Sequence, residues 1–164
     1  MLKQINNNED LLNHLIDLLN KGNAHVSLDE ALSNIRFGLL GELPNNVPYT
    51  LYQLAQHIKI AQWDILEFSR NESYVSPEWP KGYWPEERTP TSKTDWDDCV
   101  EQIKTDRQSF IDLLKKNTEN LYTPFSYGDG QTLLKEALVL ADHNAYHTGE
   151  IVIVRRLLND WKRG

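Results

Sequence analysis

Cysteine is almost absent from the 164-residue chain, because Cys99 is its only one. An intramolecular disulfide is therefore excluded, and so is every metal cluster built from several cysteines. Long apolar runs are also missing: no stretch of about 18 apolar residues occurs, and the N-terminal MLKQINNNEDLL lacks the apolar core of a signal peptide. We therefore expect a soluble, cytoplasmic protein.

A surplus of positive charge is absent as well. Lysine and arginine number 17 against 24 aspartates and glutamates, which gives a formal net charge of −7. Binding to the phosphates of a nucleic acid or to an anionic membrane requires the opposite balance. The C-terminal RRLLNDWKRG is locally basic, but basic residues are also favoured at the end of a helix. We predict no nucleic-acid partner and no membrane partner.

The apolar residues that are present recur at helical spacing in four long segments. Their approximate bounds are 2–19, 50–71, 94–117 and 132–161. A short extra helix is expected after the first, where Ser27 and Glu30 have the spacing of a capping box. Strand patterns are scarce, and TPFSYGDG is the only weak hairpin candidate. The sequence thus predicts an all-α fold, a four-helix bundle in one domain spanning residues 1–164.

A proline-rich segment separates the second and third long helices. Residues 71–93 hold four of the seven prolines, in SPEWPKGYWPEERTP. A loop of about twenty residues inside a compact domain is commonly functional. Trp79, Tyr83 and Trp84 could cover a substrate pocket, but aromatic residues in a long loop more often attach it to the helices. We favour attachment.

Two histidines on the last helix have the spacing of a metal-binding pair. His143 and His147 lie four residues apart, so about 40° separates them and both border the apolar face. His57 on the second long helix is the candidate third ligand, because metal sites inside bundles take ligands from facing helices. Three neutral imidazoles that leave positions open suit a catalytic divalent ion such as zinc. Ligand type alone leaves nickel, iron and manganese open.

The same spacing also has a purely structural explanation. Any two histidines four residues apart on a helix share a side, so His143 and His147 could belong to a polar stripe. His14 and His25 show no convergent arrangement, and we predict that they are structural or surface residues. Cys99 lies near apolar residues of the third helix, which indicates a small buried side chain rather than a nucleophile.

Three segments together resemble the DinB-like (DinB/YfiT-type) superfamily of metal-binding four-helix bundles. They are NAHVSLDEAL, LYQLAQHIKIAQWDILEF and HNAYHTGEIVIVRRLL, and the resemblance covers nearly the whole chain. It implies that His57, His143 and His147 bind one divalent metal ion, with zinc or nickel expected first and iron or manganese next. Several members of that family are S-transferases or isomerases that use small thiols such as bacillithiol or mycothiol. The resemblance therefore implies a small-molecule thiol and an electrophile as partners.

Glu150 is the candidate catalytic residue. It follows His147 at a distance of about 4.5 Å along the helix axis. It could accept a proton from a nucleophile beside the metal, or hold a ligand histidine through its other nitrogen. Pairing with an arginine of a neighbouring helix is the structural alternative. Asp64 is a weaker candidate for holding a histidine, and Arg155 or Arg156 could contact the carboxylates of a thiol.

Three functions stay open at the level of the sequence. The first is metal-dependent transfer of a low-molecular-weight thiol to a small electrophile. The second is metal-dependent hydrolysis by an activated water molecule. The third is a non-catalytic, stress-related bundle in which the metal is structural or absent. A homodimer is compatible with each of them, because aromatic-rich bundles often bury one face against a second copy.

Overall fold

The computed structural model describes residues 7–161, and every regular element in that range is helical. The five α-helices are α1 (Asn7–Lys21), α2 (Leu28–Leu32), α3 (Leu51–Arg70), α4 (Lys93–Lys116) and α5 (Leu133–Leu157). The all-α prediction is thus confirmed for these residues. The predicted start of the first helix at Leu2 lies outside them. No helix between residues 7 and 161 is both long enough and apolar enough to cross a membrane.

The starts of the long helices depend on side-chain caps. Thr50 forms a complete capping box with Gln53 at the start of α3, because each side chain bonds the backbone N–H of the other. At the start of α4, the Ser92 hydroxyl accepts a hydrogen bond from the backbone of Asp95. The helix therefore begins at Lys93, one residue before the predicted bound at residue 94.

The end of α5 lies before the predicted end at residue 161. Asn159 adopts a left-handed backbone conformation with φ of 55°, its N–H donates to the carbonyl of Arg156, and the N–H of Asp160 donates to the carbonyl of Arg155. These two bonds form a Schellman motif, which ends a helix by satisfying its last carbonyl groups. The helical periodicity of the sequence continues beyond this point, but the backbone is no longer helical.

The weak hairpin candidate TPFSYGDG forms no strand. Within residues 7–161, the segment contributes one isolated bridge between Pro124 and Thr132. Gly128 has a φ of 76°, a conformation that other residues rarely adopt, so the chain turns back on itself here. The turn places Thr132 as the cap of α5, where its hydroxyl accepts a bond from the backbone of Lys135.

The buried apolar residues form two clusters along the long helices. One cluster joins α2 to the first halves of α3 and α4 and to the second half of α5, and the other joins α1 to their opposite halves. Fully buried members include Ile58, Ile103 and Ile151 in the first cluster and Leu66, Phe110 and Leu140 in the second. The two clusters leave the middle of α3, α4 and α5 to other side chains.

Buried polar residues occupy that middle level. Gln62 of α3 donates to the backbone carbonyl of Ile103 in α4 and accepts a 3.2 Å bond from the Asn144 amide of α5. Thr148 donates to the carbonyl of Asn144, one turn earlier on α5. Because a buried polar group without a partner is costly, these bonds fix the heights of the three helices relative to one another. His57 lies at the same level.

The end of α5 is attached to α2 by a buried arginine. Arg155 Nε lies 3.0 Å from Asp160 Oδ2, and both side chains are only 5% exposed. Its Nη1 atom donates to the carbonyls of Ala31 at 2.7 Å and Ser33 at 2.9 Å. Arg155 is therefore occupied by structural contacts, which disfavour it as the residue that contacts a thiol.

We predict that Arg155→Ala lowers the free energy of unfolding by on the order of 3 kcal/mol, because it removes the buried partner of Asp160 and the donor to two carbonyls. Urea unfolding followed by circular dichroism measures this change. Lys135→Ala, which removes an exposed cation from the same helix, should change it by less than about 0.5 kcal/mol. Equal losses in the two variants would contradict the structural role of Arg155.

Candidate metal centre

Three histidines meet where α3 faces α5. His57 comes from α3 and is 2% exposed, whereas His147, 6% exposed, and the half-buried His143 come from α5. The spacing of four residues places the rings of His143 and His147 side by side, with centroids 4.4 Å apart. Candidate ligand atoms of the three residues all lie within 4.8 Å of one another. The predicted third ligand thus reaches the predicted pair.

The Nε2 atom of His57 lies close to the Nε2 atoms of both other rings. The Nε2 atom of His57 lies 3.1 Å from that of His147 and 3.0 Å from that of His143. Nitrogen ligands bound tetrahedrally at 2.0–2.1 Å to a zinc ion are about 3.3 Å apart. The two separations from His57 are therefore nearly those that the ligands of a single ion require, and the candidate ligand atoms of all three residues lie within 4.8 Å of one another.

Hydrogen bonds on the opposite side fix the orientation of two of the rings. The Nδ1 atom of His57 lies 2.8 Å from the backbone carbonyl of Tyr83, and that of His147 lies 2.7 Å from Glu150 Oε2. Because the carbonyl and the carboxylate accept, each Nδ1 carries the hydrogen and each Nε2 presents a lone pair. Such an acceptor behind the ring is the usual arrangement for a metal-ligating histidine.

The environment keeps all three imidazoles uncharged at neutral pH. Burial, together with the neighbouring His147 and His57, lowers the pKa of His143 to about 4. Burial, followed by the proximity of His57, also lowers the pKa of His147 to about 4. The pKa of His57 is lowered by burial as well. Neutral imidazole is the form that binds a metal ion.

The donor set fits a divalent metal ion. Two neutral Nε2 atoms direct lone pairs at the same point, and His143 places its own Nε2 beside them. A proton on His143 can satisfy only one of those lone pairs, whereas an ion can accept all three. The buried Nδ1 atom of His143 has no hydrogen-bond partner among residues 7–161. No contact on that side of the ring therefore fixes which of its two nitrogens carries the hydrogen and which presents the lone pair.

Glu150 contacts a histidine and not an arginine. Its Oε2 atom accepts from Nδ1 of His147, and its side chain is 31% exposed. Within the described range, no arginine forms an ion pair with it, so the alternative of an interhelical pair finds no support there. Burial raises the pKa of Glu150, which makes its carboxylate a better proton acceptor than an exposed glutamate. Its catalytic role stays a prediction.

A stack of aromatic rings covers the outer side of His57. The Trp84 ring lies parallel to the His57 imidazole at 3.9 Å, and Tyr49 stacks on Trp84 at 3.8 Å. Trp84 belongs to the proline-rich loop, whose neighbouring residue Tyr83 supplies the carbonyl for His57. The loop thus contributes to the site through one ring and one backbone atom, and a backbone carbonyl leaves no signal in a sequence.

The same loop is attached to α3 at several points. The Tyr83 hydroxyl donates to Asp64 Oδ2 at 2.7 Å, and the carbonyls of Pro85 and Arg88 accept from Gln53 and Thr50. Attachment of the loop is therefore confirmed for Tyr83, while Trp79 is 70% exposed. The prediction that Asp64 holds a ligand histidine is wrong for His57 and His147, because their Nδ1 atoms bond the Tyr83 carbonyl and Glu150 instead.

The other residues considered from the sequence lie away from the cluster. His14 and His25 are exposed and do not belong to it. Cys99 is 2% exposed, which confirms the prediction of a small buried residue, and burial raises the pKa of its thiol to about 11. The thiol is therefore almost entirely protonated at neutral pH, and a nucleophilic role is disfavoured.

No protein-family model, curated protein or solved structure matches the chain. The DinB-like resemblance therefore stays a prediction based on the motifs. The histidine geometry itself establishes a cluster compatible with a metal site and leaves the identity of the ion open.

We predict that the metal-free protein loses stability as the pH falls from about 6.5 toward 4. In this range the unfolded chain protonates its histidines near their ordinary pKa of 6.5, whereas folded His143 and His147, with pKa values of about 4, stay neutral. Above about pH 6.5 the histidines are neutral in both the folded and the unfolded chain, so they do not reduce the free energy of unfolding there. Urea unfolding in the presence of a chelator, at pH 7.5 and pH 5, measures the difference.

The matched comparison for this experiment is His143→Gln beside His14→Gln. The first variant removes one shifted titration and should reduce the loss of stability between the two pH values. The second removes an exposed histidine, so its loss should equal that of the unmodified chain. An unchanged loss in His143→Gln would contradict the lowered pKa of His143.

Proposed function

We propose that this chain is a divalent-metal-binding protein of the DinB-like type, and that it transfers a low-molecular-weight thiol to a small electrophile. The observation that carries the proposal is the convergence of three neutral imidazole nitrogens between α3 and α5. The order of the elements also agrees with a DinB-like four-helix bundle, since a short helix follows the first long one and a long loop follows the second.

The proposed ligands are His57, His143 and His147. Imidazole ligands suit zinc and nickel, and iron or manganese are the alternatives. A divalent ion bound there supplies positive charge that lowers the pKa of a thiol or a water molecule beside it. Because His143 and Glu150 are only partly buried, a small molecule can approach the cluster from their side.

Glu150 is the proposed proton acceptor. Its side chain is 31% exposed, and its Oε2 atom accepts from Nδ1 of His147. In the transfer, the S–H proton of the thiol passes to the carboxylate and a carbon–sulfur bond forms to the electrophile. The bond to the leaving group breaks, and that group departs with its electron pair. Trp84 and Tyr83 exclude water from the opposite side of His57.

Hydrolysis is the second candidate. The same carboxylate can take a proton from water instead of from a thiol, and the raised pKa of Glu150 supports either use. Nothing in the cluster favours sulfur over oxygen, so the two reactions are separated by experiment.

We predict that the purified protein binds one equivalent of zinc or nickel and that His57→Ala and His147→Ala bind less than a tenth of an equivalent, because each variant removes one of three ligands. Elemental analysis after metal loading and gel filtration measures the content. His14→Ala and His25→Ala remove exposed histidines and should keep the full equivalent. Full retention of metal by both ligand variants would remove the proposed site.

The loaded protein is then assayed with electrophiles in the presence and absence of a small thiol. Turnover that depends on the thiol supports the transferase. Turnover that is the same without the thiol identifies the hydrolase instead. Full metal content without turnover of any electrophile points to the third, non-catalytic function.

A pair of substitutions at Glu150 separates its two proposed roles. Glu150→Gln retains an oxygen that can accept from His147 but cannot take a proton, so metal affinity should change less than about tenfold while kcat falls about 100-fold or more. Glu150→Ala loses both contacts and should weaken metal binding by about 10- to 100-fold as well. Isothermal titration and steady-state kinetics measure these quantities. An unchanged kcat in Glu150→Gln would exclude the carboxylate as the proton acceptor.

A further inference from the structure

The helix that carries two of the histidines is apolar on its outer side as well. A helix with apolar residues all round is normally buried all round. The outer face of α5 spans about 100° of the helix. It consists of the exposed residues Lys135, Leu138, Val139, Asp142, Tyr146, Gly149, Ile153, Arg156 and Leu157.

Large apolar side chains on this face remain open to solvent. Leu138 is 50% exposed, Tyr146 65%, Ile153 55% and Leu157 53%. Single exposed apolar residues are common on protein surfaces, but a row of them along one helix indicates an interaction site. Among residues 7–161, no element covers this row.

Two of the three charged residues on the outer face are placed symmetrically about a glycine. Asp142 precedes Gly149 by seven residues and Arg156 follows it by seven, so the three lie nearly in line over about 21 Å. Within the described chain, neither charge takes part in an ion pair. A second α5 running in the opposite direction, with the two-fold axis at Gly149, places each Asp142 against Arg156 of the other copy.

No contact within one chain explains why residue 149 is a glycine. It lies inside the long helix, where glycine costs about 1 kcal/mol relative to alanine. A Cβ atom added there would meet nothing within 4 Å, so the fold does not require the missing side chain. Close approach of a second helix backbone would require it.

A groove beside the outer face offers space for a neighbouring side chain. It has a volume of about 480 Å³, and its walls include Val26, Val152 and Ile153 next to Gly149. Three of its lining residues, Gly149, Ile153 and Arg156, also belong to the outer face. The same patch thus supplies both the projecting side chains and the space for them, which is the property of an interface between identical subunits.

We propose that the outer face of α5 is the contact surface of a homodimer, packed antiparallel about Gly149 with two Asp142–Arg156 pairs between the copies. Self-complementary charge favours a second copy over a different protein. The net charge of −7 disfavours an anionic membrane. The proposal does not depend on the metal site.

Sedimentation velocity with charge-reversed variants tests the dimer. Asp142→Arg alone and Arg156→Asp alone each place like charges opposite one another and should raise the dimer dissociation constant at least tenfold. An equal mixture of the two variants restores opposite charges at both positions and should return the dimer. Asp98→Arg, an exposed reversal on α4, should leave it unchanged.

Two further variants keep the result independent of folding and of metal binding. Gly149→Gln introduces a side chain into open space in one chain but into the helix contact of the dimer, so it should give a folded monomer by circular dichroism. His57→Ala should remain dimeric. The proposal is overturned if the unmodified protein is a monomer, or if the dimer persists in both single charge reversals. Binding of the protein to vesicles or to another protein would not rescue it.

Discussion

The fixed orientation of two imidazole rings is the constraint on which the site depends. The Tyr83 carbonyl and the Glu150 carboxylate each hold one Nδ1 hydrogen, so the opposite nitrogens must present lone pairs toward the same point. Burial keeps the rings uncharged by lowering the pKa of each histidine. Orientation and neutrality together turn three ordinary side chains into a candidate ligand set.

The division of the core explains why such a cluster can exist inside the protein. Two apolar clusters lie toward the two ends of the long helices and supply most of the burial that favours folding. Gln62 and Asn144 occupy the level between them and bridge α3, α4 and α5 through hydrogen bonds. The histidines therefore enter a layer that is already polar, and the apolar packing stays intact above and below it.

Local sequence signals predicted the helices well, because helical period and capping act over a few residues. Thr50 and Thr132 cap α3 and α5, so these helices begin close to the predicted bounds at residues 50 and 132. The errors are at helix ends: Ser92 caps α4 ahead of the predicted bound at residue 94, and the left-handed Asn159 ends α5 although the apolar period continues. At the site, the sequence made His57 only a candidate third ligand, and Asp64 Oδ2 accepts a hydrogen bond from the Tyr83 hydroxyl.

The sequence by itself determined that His143 and His147 share one side of a helix, because four residues make about one turn of any α-helix. Only the tertiary structure decided that His57 meets them, since it lies 86 and 90 residues away along the chain. The same holds for the Tyr83 carbonyl behind His57 and for the Trp84 ring stacked on it. Contacts of this kind depend on how helices and loop pack together, and no local pattern encodes that packing.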